Sequence, residues 1–269
     1  MVDIDTAIGF VVARGDATER ARLSYLRTGN LPPADVVTKV ETGQMPTGGW
    51  PAQWGAGVAS IDATCFRLAE LDDLGALSRP PAKRALGWLA ARQRLNGFWE
   101  EDATLEAAAP PWARPGDPEA RFYLTVNASF WLAVAAADAA GDGGSADLYE
   151  VQLTRAAEAI RDSLGDNGSW PGFLVSGWLA GAVLHRTEFF YESARIFVVL
   201  ADRAKTMSAG DAAWMAAALR RAGVNPDDPA LVAARAQLSA TQRPDGGWPS
   251  DDGPSFDVHA TLTALRALR

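Results

Sequence analysis

A seven-residue word recurs four times along this chain, and the recurrence restricts the possible folds more than any other feature. The last copy reads Gln242-Arg-Pro-Asp-Gly-Gly-Trp248, and two earlier ones, Gln44-Met-Pro-Thr-Gly-Gly-Trp50 and Gln93-Arg-Leu-Asn-Gly-Phe-Trp99, keep the spacing Q-x3-G-x-W. A further copy, Leu164-Gly-Asp-Asn-Gly-Ser-Trp170, keeps the glycine and tryptophan but has leucine in place of glutamine. Repetition of this kind implies like structural units set side by side. In each unit the glutamine extends the end of one helix, the glycines permit a tight turn, and the tryptophan ring covers the next helix.

Between the words, apolar residues recur three and four apart and Gly/Pro clusters punctuate them, the pattern of amphipathic helices. The spacing predicts helices over 3–14, 17–28, 33–43, 59–76, 80–93, 119–139, 146–164, 173–186, 188–205, 210–222, 227–240 and 257–268. That is an all-α chain of about six hairpins, read as one domain over 1–269, with almost no support for strands. Boundaries have mechanisms: Pro80-Pro81 starts a helix where a missing N–H is harmless, and Asn225-Pro-Asp-Asp-Pro229 supplies cap oxygens before the apolar run from Leu231.

A formal net charge of −8 and no basic stripe argue against a nucleic-acid partner. The single cysteine, Cys65, excludes an internal disulfide, and the acidic N-terminus lacks the pattern of a signal peptide; both point to a cytoplasmic protein. The longest Leu/Val/Trp-rich run, 173–184, is short of the roughly 20 residues that span a bilayer. It leaves open peripheral contact with a membrane surface.

Q-x3-G-x-W words between helices, each followed by a helix that opens with a polar residue and Thr, resemble the repeat of the squalene–hopene cyclase, terpene cyclase and protein prenyltransferase β-subunit superfamily. The resemblance covers 44–269. It implies an α/α toroid, with inner helices around a cavity and outer helices around those, and an isoprenoid or other apolar small molecule as the partner. The chain has the length of one such barrel standing alone, similar to the single-barrel bacterial members.

Aligning the helix after each word gives one column: Asp62 in Ser-Ile-Asp-Ala-Thr64, Asn127 in Thr-Val-Asn-Ala-Ser129, Glu192 in Phe-Tyr-Glu-Ser-Ala194 and His259 in Asp-Val-His-Ala-Thr261. Like positions of a toroid converge, so these four are expected to ring one mouth; helix capping is the structural alternative for Asp62 and Asn127. Phe130, Trp131 and Tyr191 lie close to the column and supply aromatic faces for an apolar or cationic species.

Cyclases of this superfamily that protonate an alkene use a D-x-D-D-T word. Here the corresponding segment, Asp257-Val-His259-Ala-Thr261, keeps the first acid and the threonine and has His and Ala in place of the central acids. The resemblance therefore implies acid–base-initiated cyclisation or rearrangement, an isomerase or lyase activity, with Asp257 and Asp62 as acids and His259 as the orienting or proton-accepting group. No cofactor is expected. Zinc would require Asp62, Cys65 and a His259 shifted by one place from the prenyltransferase word, and Mg²⁺ would require Asp251-Asp252 or Glu100-Glu101-Asp102, runs that otherwise read as solvated turns. The rival functions are a non-catalytic lipid- or protein-binding barrel and zinc-dependent prenyl transfer.

Overall fold

A computed structural model describes residues 2–55, 57–145 and 147–269. Among these residues lie twelve α-helices: α1 (Ile4–Arg14), α2 (Ala17–Thr28), α3 (Ala34–Glu41), α4 (Ile61–Asp72), α5 (Pro80–Arg92), α6 (Pro118–Gly141), α7 (Glu150–Asp162), α8 (Leu174–Arg186), α9 (Phe190–Arg203), α10 (Ala209–Arg221), α11 (Pro229–Thr241) and α12 (Asp257–Leu268). The expected start of α7 at 146 lies outside the described residues, and the helix itself opens at Glu150. The extended structure is a two-residue antiparallel pair, β1 (Trp50–Pro51) with β2 (Ala59–Ser60), in which Trp50 faces Ser60.

The helices alternate between two layers. Those with even numbers form an inner ring in which α4, α6, α8, α10, α12 and α2 pack in succession. The odd-numbered helices lie outside, α1 against α12, α5 against α4 and α6, α9 against α8. Burial follows the layer: α8 is buried from Ser176 to Leu184, whereas α9 buries only Ser193, Ile196, Phe197 and Leu200 and leaves Tyr191 and Val198 exposed. The 24-residue α6 is long and apolar enough by composition to cross a membrane, yet most of it is buried in this core. An all-α toroid is the result.

The words fasten the layers together. In three of them the glutamine lies just past the helix end rather than extending it. Its Nε2 donates both to a carbonyl of its own turn and to the neighbouring outer segment: Gln44 to Gly48 (2.7 Å) and Pro81 (2.7 Å), Gln93 to Gly97 (3.1 Å) and Gln152 (2.8 Å), Gln242 to Gly246 (3.0 Å) and Asp3 (2.8 Å). The Asp3 amide donates back to Gln242 Oε1 (2.8 Å), so the last word grips the first helix and closes the ring. In the word that starts with Leu164, Arg195 of α9 takes over this role by donating to the Gly165 carbonyl (3.0 Å).

Each tryptophan then secures the following inner helix. The amides of Trp50, Trp99 and Trp248 donate to Thr64, Thr125 and Thr261 Oγ1, all at 3.0 Å. The Trp170 ring instead lies directly over Gly177 of α8, where a Cβ would clash at 2.1 Å. The first glycine of the last word, Gly246, has φ +88°, and a Cβ there would sit 2.4 Å from the Thr6 backbone. Gly246→Ala is expected to destabilise by about 2 kcal/mol or more, combining left-handed strain with a backbone clash. Gly29→Ala, where φ is +71° but nothing lies within 4 Å, should cost only about 1 kcal/mol. Denaturant unfolding of the two variants checks the difference; equal losses would show that the close approach of the last word to α1 contributes nothing.

Candidate functional site

Successive helices of a hairpin run antiparallel, so the six inner helices are mutually parallel and their N-termini gather at one mouth. Asp62 lies in the first turn of α4 at this mouth. Its Oδ1 accepts from Tyr123 Oη (3.1 Å) and its Oδ2 from Trp112 Nε1 (3.1 Å), while Asn127 Nδ2 donates to Tyr123 Oη (3.1 Å). Asp62 and Asn127, aligned in the sequence, are thus joined through a tyrosine between them. Burial pushes the Asp62 carboxyl above the usual carboxylate range, against the lowering effect of its Trp112 and Tyr123 hydrogen bonds.

Tyr123 was not apparent from the sequence column. The threonine that receives each tryptophan amide fixes the true register: Asp62 and His259 stand two places before Thr64 and Thr261, and the residue two before Thr125 is Tyr123. Asn127 lies one turn deeper. The readable signal was Phe122-Tyr-Leu-Thr125 beside Ile61-Asp-Ala-Thr64 and Val258-His-Ala-Thr261. For the third unit the column is in error. The inner helix after that word is α8, and Glu192 and Tyr191 belong to the outer helix α9, with Tyr191 exposed toward solvent and its ring under Arg195.

His259 stands on α12 with part of its surface open to solvent while its ring is packed beside Arg22, Nδ1 lying 3.1 Å from Arg22 Nη1. Because a guanidinium only donates, Nδ1 accepts and the imidazole is neutral with its proton on Nε2. Burial, followed by the Arg22 charge, holds its pKa below the usual value. Asp257 does not share this environment. It accepts from the Ser250 amide (2.9 Å) and pairs with Arg243 of the last word (2.7 Å). Burial alone would raise its pKa, but that amide and guanidinium outweigh it and hold the group below the ordinary range. Asp257 thus fastens the loop before α12 through the Ser250 amide and Arg243.

Further aromatic rings lie on the inner helices. Phe66 shares a face of α4 with Asp62 and is 58% exposed, and Trp214 of α10 is 43% exposed and packs edge-on against Trp178 at 5.5 Å, although both belong to inner helices. Phe130 and Trp131 are nearly buried in α6 and pack edge to face at 5.2 Å. The acidic run 100–102 is not a solvated turn throughout: Glu100 pairs with Arg94 (2.6 Å), Asp102 caps the turn 103–105, and Glu101 is buried with its carboxylate on the start of α4. At the same mouth Asp211, raised by burial and by the Asp251 charge, was also missed in the sequence.

Cys65 is buried, and burial together with Asp62 and Glu101 pushes its thiol well up, which opposes the thiolate that zinc requires. His259 is engaged elsewhere by Arg22. Among the described residues no group of three His, Cys, Asp or Glu side chains is placed to hold a metal ion.

The opposite mouth, where the inner helices end, is charged. Asp72 pairs with Arg221 (3.1 Å) and Arg266, Asp73 with Arg22 and Arg266, and Arg221 also with Asp138 (2.6 Å). The arginines compensate both the acids and the negative ends of parallel helices. These residues line a cavity of about 1050 Å³ with Tyr25, Leu77, Leu148 and Tyr149; neither Asp62 nor His259 lines it. Asp72 is opposed by burial, yet Arg266 and Arg221 bring its pKa below the usual value. A depressed folded-state pKa adds stability above the unfolded value near 3.8, lost as pH falls through the folded value. Asp72→Asn is expected to cost on the order of 3 kcal/mol at neutral pH and to flatten the stability profile below about pH 4. An unchanged acid limb in urea titrations would contradict this.

No protein-family model and no curated protein matches the chain at significant similarity. Solved structures do. A protein from Actinoplanes aligns with TM-score 0.60 at 17% identity over 99% of this chain and 97% of that one. The ligand-free type II terpene cyclase MstE from Scytonema aligns with TM-score 0.59 at 17% identity over 98% and 95%. A variant of MstE in complex with geranylgeranyl dihydroxybenzoate, its substrate, aligns with TM-score 0.58 at 17% identity over the same shares. The chain shares its all-α toroid fold with these structures.

Proposed function

We propose that the protein is a terpene-cyclase-like enzyme of the squalene–hopene type that cyclises a prenylated, apolar substrate by protonation, with Asp62 as the acid. The observation that supports this reading is the Asp62 carboxyl itself: partly buried, raised above its usual range, and accepting from two neutral donors, Tyr123 and Trp112. Burial strengthens the hold of Asp62 on its proton, and Tyr123 and Trp112 stabilise the carboxylate formed once the proton has left.

In this reading the Asp62 proton adds to a terminal alkene, forming a C–H bond and a carbocation. Neighbouring double bonds close rings on it, and loss of a proton from carbon to water restores an alkene while the Asp62 carboxylate is reprotonated from solvent, so that the product is an isomer of the substrate. Phe66, Trp214, Phe130 and Trp131 offer ring faces to the cation, each contact being worth about 1–2 kcal/mol in a dry site. Neutral His259, held by Arg22, orients the polar end of the substrate through Nε2–H. Asn127 acts through Tyr123.

Incubation with geranylgeranyl dihydroxybenzoate, followed by chromatography and mass spectrometry, is expected to give a product of unchanged mass and new retention time. Asp62→Asn should lower turnover at least about 100-fold. The same change should leave the melting temperature at neutral pH unchanged or higher: a carboxyl with a raised folded-state pKa favours folding only while protonated, and that contribution is lost as pH rises through the raised value. Full activity of Asp62→Asn removes the acid assignment.

A second reading, a barrel that binds an apolar molecule without converting it, is favoured by His259 and Ala260 standing where the resembling cyclases carry acids. It predicts a bound lipid in native mass spectrometry and no isomerisation of any prenylated probe.

A further inference from the structure

Glu101 is the most buried charged side chain near Asp62, at 2% exposure, and the chain takes an unusual route to put it there. Trp99 is pinned to α6 through Thr125, and two residues later the backbone delivers Glu101 back to the preceding unit. Its Oε1 accepts from Ser60 Oγ (2.7 Å) and the Asp62 amide (3.0 Å), and its Oε2 accepts from the Ile61 amide (3.0 Å). Ser60 already caps α4 by accepting from the Ala63 amide (3.1 Å), so the first turn would have an ordinary cap without Glu101.

We infer that Glu101 is a positioning residue that keeps the proton on Asp62: its carboxylate, held by three donors at the positive end of α4, stands beside the Asp62 carboxyl so that the two are not ionised together. The inference rests on the reading of Asp62 as the acid.

The pair divides its charge for a physical reason. Two backbone amides, a hydroxyl and a helix N-terminus favour the anion at Glu101, whereas Asp62 has two neutral side-chain donors. Burial raises both groups, and the neighbouring Asp62 charge raises Glu101 further, so that ionisation of one carboxyl opposes ionisation of the other. The other groups facing Asp62 are Tyr123 and Asn127 from α6, Trp112 from the turn 111–113, and Cys65 on its own helix. Neither carboxyl has an arginine or lysine among the groups that shift it. Glu101 thus substitutes, from another unit of the ring, for the acidic neighbour that the segment after Trp248 lacks.

The test is a carboxyl ¹³C NMR titration of the full chain labelled in aspartate and glutamate, with Asp62 assigned by Asp62→Asn. In the wild type Glu101 is expected to ionise first and Asp62 last; the reverse order overturns the inference without any variant. In Glu101→Gln, which keeps an acceptor for the α4 amides, the Asp62 midpoint should fall by on the order of one to two pH units. Ser60→Ala removes a donor but no charge and should leave that midpoint close to wild type. An equal fall in Ser60→Ala would assign the effect to cap geometry and overturn the inference. An Asp62 that retains its proton to high pH in both wild type and Glu101→Gln also overturns it, while leaving the acid assignment intact; an Asp62 ionised in the ordinary range in the wild type removes both.

Discussion

The hydrogen bond from a tryptophan amide to a threonine hydroxyl sets the register of everything inside this ring. It occurs three times, at Trp50–Thr64, Trp99–Thr125 and Trp248–Thr261. In each case the same hydroxyl donates, at 2.7 Å, to the carbonyl four residues before it. Such a threonine has its donor used on its own helix and its acceptor used on the word, so helix and word are locked at one rotation. The residue two places earlier is turned by about 200°, away from the word and into the ring. That residue is Asp62, Tyr123 or His259. The acid, the phenol that bonds to it and the imidazole owe their placement to a structural bond that none of them makes.

The two ends of the ring then solve opposite electrostatic problems. Where the inner helices begin, partial positive charge collects, and acids gather there: Glu101 on the first turn of α4, Asp62 beside it, Asp211 on α10. Where they end, three arginines enter and pair with Asp72, Asp73 and Asp138. The acids at the first end have no arginine paired to them and are raised by burial; at the second end arginines hold Asp72 below its usual range despite its burial. Asp257 shows that position alone does not decide this. It opens α12 as Asp62 nearly opens α4, yet the Ser250 amide and contact with Arg243 bring its pKa below the usual range.

The helical ring was legible in the sequence because its signals are local and repeated: apolar spacing of three and four, proline at helix starts, and a glycine–tryptophan turn whose glycine must adopt positive φ against the next outer helix. The site was legible only where the loop after a word is short and the threonine is plain. Asp62 and His259 came from such segments. Tyr123 was obscured because eighteen residues lie between Trp99 and the start of α6 at Pro118, and because α6 is buried on every side, so that no face stands out. Glu192 was misassigned because the third word has no threonine partner and relies on Trp170 over Gly177. The inward turn of Glu101 depends on a contact across units, which no local pattern in residues 100–102 encodes.

Native-state amide hydrogen exchange at Trp50, Trp99 and Trp248 tests the locking of helix to word most directly. If these bonds hold one closed ring, the three amides exchange with a single common free energy, equal to that of global unfolding. Exchange at Trp248 by a lower-energy opening, with Trp50 and Trp99 still protected, would show instead that the ring parts between α12 and α1 while the rest stands, and that the shared register of Asp62, Tyr123 and His259 is not fixed by it.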